Sequence, residues 1–211
     1  MLWFDDLISL NHARGILALG WRIMDCNSWD DAWTHHFMAF KNNDPHAIAG
    51  AISVFSRALH LIDFGYKYIA FTPALHSGDV KCDTNSNTTQ LCAGLAEKFK
   101  VQCLTNILAK GRHKKLHTIT KGVERDAEVA GKYECSSQMN FDCVFVFDDF
   151  TTRGATITEI ARAIKHNNRK TDIIGVVLGK NENRGFAAHN DVSVSNDHLP
   201  NRWLNLWDRQ L

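Results

Sequence analysis

Val144-Phe145-Val146-Phe147-Asp148-Asp149-Phe150-Thr151-Thr152-Arg153-Gly154-Ala155-Thr156 runs from four apolar residues into two acids and then a hydroxyl-rich segment with one glycine. A continuous apolar run of this length marks a strand covered on both faces. From Thr156 to His166, Ile157, Ile160, Ala161 and Ile164 fall on one helical stripe. Ile173-Ile174-Gly175-Val176-Val177-Leu178 is a second buried strand. Strand, helix and strand with short connections form a βαβ unit, and hence a parallel sheet. Asp148 and Asp149 then stand at the carboxyl end of a central strand, where ligands bind in open α/β sheets. The following loop leads into a helix start, whose N–H groups and dipole favour an anion. Thr151, Thr152 and Thr156 add hydroxyl donors, and Gly154 allows close backbone approach. The pattern describes a phosphate cradle preceded by two carboxylates placed for sugar hydroxyls or for a metal held by them.

Outward from this unit, the pattern changes at Gly65. Tyr66 to Phe71 is a short strand that stops at Thr72-Pro73, and a polar loop spans residues 76 to 87. Thr88 to Phe99 reads as a helix, with Leu91, Leu95 and Phe99 on one face. Val101 to Leu108 is a further strand. Ala109 to Tyr133 is a long polar excursion, of a length that in compact domains is often functional. Residues 1 to about 65 read as helical, with Asp44-Pro45 as a capped start and Ile48, Ile52, Phe55, Leu59 and Ile62 on an apolar face. Trp3, Trp21, Trp29 and Trp33 crowd the first 40 residues and call for packing on the main domain or on a partner. The expected division is an N-terminal helical extension over 1–64 and an α/β domain over 65–211.

Composition narrows the classes. The chain has 211 residues, 45% of them hydrophobic and 22% charged, which suits a soluble globular domain with a proper core. A formal net charge of +1 gives no global case for nucleic acid or a membrane surface as partner. The six cysteines include no C-x-x-C pair, so zinc-site spacing is missing and reduced thiols are expected, buried at Cys92 and Cys143. Met1-Leu2-Trp3-Phe4-Asp5-Asp6 does not open a signal peptide, and no apolar stretch approaches the roughly 20 residues that span a bilayer. A cytoplasmic protein is expected.

VFVFDDFTTRGAT resembles the phosphoribosyl pyrophosphate signature of type I phosphoribosyltransferases, in which two acids precede a T-T-G-x-T-like phosphate loop. The resemblance extends towards the ComF-like branch. Glu124-Arg125-Asp126-Ala127-Glu128-Val129-Ala130-Gly131-Lys132-Tyr133 is similar to its E-R-x-x-N-V-x-G-A-F stretch, and Pro73-Ala74-Leu75-His76 to its P-x-P-L-H element. It covers roughly residues 66 to 180. It implies a type I phosphoribosyltransferase-like fold: an open, mainly parallel sheet flanked by helices. It further implies Asp148 and Asp149 as the catalytic acids on the ribose hydroxyls. Thr151, Thr152, Arg153, Gly154, Ala155 and Thr156 become the 5-phosphate loop, and Mg²⁺ arrives with the substrate. The implied role lies in nucleotide metabolism, as a transfer of the phosphoribosyl group to a nitrogen base.

The sequence also departs from that branch. No four-cysteine zinc ribbon can form, Arg153 stands where a threonine is usual, and Asn85-Ser86-Asn87-Thr88-Thr89-Gln90 replaces an R-G-F-N-Q element. These departures support a second reading, a non-catalytic sensor or accessory protein of DNA uptake, repair or phage defence. It would bind phosphoribosyl pyrophosphate or a nucleotide in the same pocket and meet a protein partner, or a second copy, through its N-terminal helices.

Three further features complete the expectations. Lys110-Gly111-Arg112-His113-Lys114-Lys115 is a basic cluster; in this fold Arg112 and Lys114 are expected on a loop that closes over pyrophosphate. Adjacent His35 and His36 point about 100° apart on a helix and are read as structural rather than metal-binding. Trp203, Leu204 and Trp207, at helical spacing, are expected to dock the tail on the core, with Asn190, Asp191 and Asp197 as alternative contacts to a base.

Overall fold

The computed structural model describes residues 1–7, 10–23, 32–76, 78–111 and 122–182, together with Trp203 and Trp207. In chain order the elements are β1 (Leu2–Phe4), β2 (Gly15–Ile23), α1 (Ala32–Lys41), α2 (Pro45–Leu59), β3 (Ile69–Pro73), α3 (Asn87–Phe99) and β4 (Gln102–Cys103). They continue with β5 (Leu108–Lys110), α4 (Gly122–Val129), β6 (Tyr133–Cys135), β7 (Cys143–Thr151), α5 (Ala155–Asn167) and β8 (Asp172–Glu182). The six-stranded sheet has the order β1-β2-β8-β7-β3-β4. Its pairings are parallel except for β1 on β2, so the protein is an α/β fold with a mostly parallel mixed sheet. β5 and β6 form a separate antiparallel pair.

Side chains of β7 alternate between two cores. Phe145 and Phe147 face a layer built from α1, α2 and α3, with Trp33, Phe37, Phe55, Leu91 and Leu95. Val144 and Val146 face α5, through Ile157, Ile160, Ala161 and Ile164, together with the β5–β6 pair. The predicted βαβ unit is present, and each fully buried aliphatic of α5 contributes roughly 1.5–3 kcal/mol.

The helical reading of residues 1 to about 65 is corrected for its first third. Gly15–Ile23 is not helix but a strand inside the sheet, paired along its length with β8. Leu2–Phe4 adds an antiparallel edge beyond it. Gly15 to Trp21 is a seven-residue apolar run without alternation, and buried strands and buried helices share that pattern. The expected helix at Asp44-Pro45 is present as α2, with Asp44 accepting from the Ala47 N–H at 2.9 Å.

Trp33 is buried against Phe37 and Trp207, so its bulk serves the main core. Trp207 stacks on His36 with ring centroids 5.0 Å apart, which gives that histidine a packing role. Trp203 and Trp207 both lie in the core beside α1 and α2, as the docking expectation requires. Cys82, Cys92, Cys103, Cys135 and Cys143 are free thiols, and Cys92 and Cys143 are fully buried. No described helix is long and apolar enough to cross a membrane.

Candidate functional site

β3 and β7 are parallel neighbours whose chains depart in opposite directions. From β3 the chain crosses through α3 to β4, on the side away from β7. From β7 it crosses through α5 to β8, on the side away from β3. Because α3 and α5 also lie on opposite faces, the loops leaving these two strands separate and leave a crevice between their carboxyl ends. Such a switch point is where open α/β sheets bind ligands. The Phe147 carbonyl still bonds to the Ala74 N–H at 2.7 Å, so Asp148 is the first residue past the β3–β7 ladder.

The signature segment enters this crevice with one change of boundary. The strand does not stop at Phe147: Asp148, Phe150 and Thr151 pair with Val177, Gly179 and Lys180 of β8. Of the expected phosphate loop, Thr151 to Thr156, only Thr152-Arg153-Gly154 is loop: Thr151 is a buried strand residue and Ala155 opens the helix. Within it the acids bond to the backbone that follows. Asp148 accepts from the Asp149 N–H at 2.9 Å, and Asp149 from the Phe150 N–H at 2.6 Å. Burial and then the neighbouring Asp149 charge push the Asp148 carboxyl well above the usual carboxylate range. Its protonated form can donate as well as accept a hydrogen bond.

Gly154 is the N-cap of α5 at φ +87°, a left-handed conformation that favours glycine, and no side chain caps the helix there. The first N–H groups of α5 are thus served by no N-cap side chain, which is the arrangement that suits an anion. Thr152 accepts from Asn181 Nδ2 at 3.1 Å at the end of β8. Arg153 turns to α4, where its Nε lies 2.9 Å from Asp126 Oδ2. Ala155 opens the helix and Thr156 is half-buried in its first turn.

The β5–β6 pair supplies a cation that the sequence reading placed elsewhere. Lys110, the first residue of the basic cluster, is 2% exposed. Its Nζ donates to the carbonyls of Leu75, at 2.8 Å, and His76. Burial lowers its pKa from 10.5 to about 8, while Asp148 and Asp79 act against that drop. Tyr133 donates to the same Leu75 carbonyl at 3.0 Å, and burial followed by the Asp148 charge raises its phenol. Lys110, Tyr133 and Asp79 thus join Asp148 around the end of β3. In sequence Tyr133 stands only as the last residue of the segment similar to E-R-x-x-N-V-x-G-A-F, and Lys110 only as the first member of a basic cluster.

Other site expectations divide as follows. Arg112, Lys114, Asn190, Asp191 and Asp197 lie outside the described residues. The segment in place of R-G-F-N-Q is committed to the fold. Ser86 caps α3 by accepting from the Thr89 N–H, and Asn87 Nδ2 donates to the Phe40 carbonyl at 2.9 Å. Thr88 bonds to the Ala74 carbonyl and His76, and Thr89 to Ser86 and Cys82. Among the described residues no group of three or more His, Cys, Asp or Glu side chains converges to hold a metal ion. Against known proteins, the chain matches no protein-family model and no curated sequence.

Proposed function

We propose that this protein binds a phosphorylated ribose, as phosphoribosyl pyrophosphate or a nucleotide, in the crevice between the ends of β3 and β7. The observation that carries this reading is the switch point itself. It puts Asp148 and Asp149, the uncapped start of α5 and the buried Lys110 at one end of the sheet. The 5-phosphate sits on the N–H groups that follow Gly154. Asp148 and Asp149 take the ribose hydroxyls, and Lys110 faces the diphosphate end. The same arrangement supports a type I phosphoribosyltransferase-like fold of the ComF-like kind.

In the active form of this reading, a nitrogen base attacks C1 of the ribose. The bond from C1 to the diphosphate oxygen breaks, and pyrophosphate leaves with its electron pair. Asp148 and Asp149 are two carboxylates at one strand end and would help hold a Mg²⁺ that arrives with the substrate, which would supply charge neutralisation for the leaving group. The protein's own part is to position the ribose and to offset charge.

A second reading is favoured by the segment Asn85 to Gln90. Its polar side chains hold the start of α3 and the carbonyl of Phe40, which leaves them committed within the fold rather than offered to pyrophosphate. A ligand sensor in the same pocket, passing occupancy to a protein partner, requires no such group. Calorimetric titration with phosphoribosyl pyrophosphate and Mg²⁺, followed by assay of pyrophosphate release over a panel of bases, separates the two. Turnover establishes the transferase; tight binding without turnover leaves the sensor; no binding removes both.

A further inference from the structure

Two thiols meet where α3 packs on the edge of the sheet. Cys92 stands on the buried face of α3 with Leu91 and Leu95, and Cys103 ends β4, the last strand of the six-stranded sheet. Their sulfurs are hydrogen-bonded at 3.4 Å, and both are free thiols. A disulfide needs about 2.0 Å, so the sulfurs must close by roughly 1.4 Å, a distance that rotation about one side-chain bond covers. The two thiols are not equivalent. Cys92 is fully buried, and burial pushes its thiol up, so it keeps its proton and donates to Cys103. That hydrogen bond lowers the Cys103 thiol against the opposing effect of burial, and Cys103 is only half-buried. Cys103 is thus the sulfur both nearer to solvent and more readily ionised, the pattern of a thiol that oxidants reach first. Cys82 lies in the same region, but its sulfur is engaged by Thr89 Oγ1 at 3.2 Å and burial raises it.

We propose that Cys92 and Cys103 form an oxidation site, at which a peroxide converts the thiol pair into a disulfide that fastens α3 to the edge of the sheet. The Cys103 thiolate attacks one oxygen of hydrogen peroxide and the O–O bond breaks. The other oxygen leaves as hydroxide and takes up the thiol's proton as water. The Cys92 sulfur then attacks the sulfenic acid on Cys103. The S–S bond forms, the S–O bond breaks, and hydroxide leaves with the Cys92 proton as a second water. Two thiols lose two electrons and two protons, and one peroxide becomes two waters. α3 is not remote from the crevice. One turn before Cys92, Thr88 bonds to the Ala74 carbonyl and to His76, on the β3 side. The disulfide restrains the helix that forms that side.

The test is treatment of the full-length chain with stoichiometric hydrogen peroxide, followed by peptide mapping without reduction and by a thermal melt. The wild type yields a peptide linked from Cys92 to Cys103, lighter by two hydrogens than its two halves. Its melting midpoint rises by about 5–10 °C, as for closure of a short loop. Dithiothreitol reverses both changes. Cys103→Ser gives no link at Cys92 and no rise, whereas Cys82→Ser still forms the link. A link from Cys103 to any other cysteine, Cys103 oxidised beyond sulfenic acid without a link, or no reaction at all overturns the proposal. So does a midpoint that falls on linkage, since the fold then opposes the bond instead of being fastened by it.

Discussion

Replacing Lys110 by methionine decides whether this buried cation serves the fold or the ligand. Its Nζ bonds to the Leu75 and His76 carbonyls, but each carbonyl has a second donor. Tyr133 OH reaches Leu75 O at 3.0 Å, and the Asp79 N–H reaches His76 O at 3.0 Å. Removing the ammonium strands neither acceptor, so the usual penalty for an orphaned buried group does not arise. A pKa lowered from 10.5 to about 8 means that the charged form is disfavoured by about 3 kcal/mol, net of the opposing pull of Asp148 and Asp79, at ~1.4 kcal/mol per pH unit. Two charge-assisted hydrogen bonds, about 1.5–3 kcal/mol each, are of similar size and offset it. Methionine retains most of the packing of the lysine stem, so the variant should stay within about 1 kcal/mol of wild type near neutral pH.

The pH dependence gives the sign. Between pH 8 and 10.5 the unfolded chain keeps a proton on Lys110 that the folded chain has released. Wild-type stability therefore rises with pH across that window, by up to about 3 kcal/mol from this group, and is unaffected by it below pH 8. Urea melts of wild type and Lys110→Met, compared from neutral to alkaline pH, isolate this rise as the difference between the two curves. Binding of phosphoribosyl pyrophosphate runs the other way. It weakens in the wild type as pH passes through 8, and in Lys110→Met it is at least about tenfold weaker at pH 7, the loss of roughly one charged contact. If the variant instead loses more than about 2 kcal/mol and still binds fully, Lys110 belongs to the fold and the assignment of this end of the crevice is wrong.

Three further outcomes are expected. Asp149→Asn should abolish binding of phosphoribosyl pyrophosphate in calorimetry while shifting the urea midpoint by less than about 0.5 kcal/mol, as for a substitution outside the core. Gly154→Ala puts a β carbon at φ +87° and 3.3 Å from Leu10 Cβ, which should cost about 1–2 kcal/mol in a thermal melt and weaken ribose 5-phosphate binding in calorimetry. Gly50→Ala should destabilise by about 1–3 kcal/mol in thermal denaturation, although alanine is the better helix former by ~1 kcal/mol, because its β carbon falls 2.0 Å from Trp207 Cδ1.

How much of this was readable in sequence depends on what each residue must satisfy. β7, α5 and β8 were legible because burial on both faces writes itself as unbroken apolar runs around a helical stripe. β2 is equally buried and was misread, since its leucines and alanine also suit a helix and nothing in the run betrays a period of two. The end of β7 was misplaced because Asp148 and Asp149 look like the start of a loop. Their neighbours on β8 continue to Glu182, and the ladder carries the acids with it. In the long excursion, Lys110 reads only as the first member of a basic cluster. Only the pairing of β5 with β6 turns it inward to the Leu75 and His76 carbonyls, a contact across 34 residues or more that no local pattern encodes.

The polar residues at the carboxyl end of the sheet fall into two sets with different physical justifications. Ser86, Asn87, Thr88 and Thr89 are used up by the start of α3 and by the carbonyls of Phe40 and Ala74, so their presence is explained by the fold alone. Asp148 and Lys110 are different: both are desolvated against their charged forms, and the carbonyls that Lys110 touches already have other donors. Groups held at such a cost, in a crevice formed where two crossovers diverge, are accounted for by a ligand more readily than by stability. The division falls between the two sides of the crevice. In the proposed reading the β7–α5 side with Lys110 receives the charged sugar phosphate, while the β3–α3 loop has spent its polar groups on itself. On the proposed reading, ligand binding can therefore hold without group transfer, since among the described residues nothing on the β3–α3 side is offered to pyrophosphate.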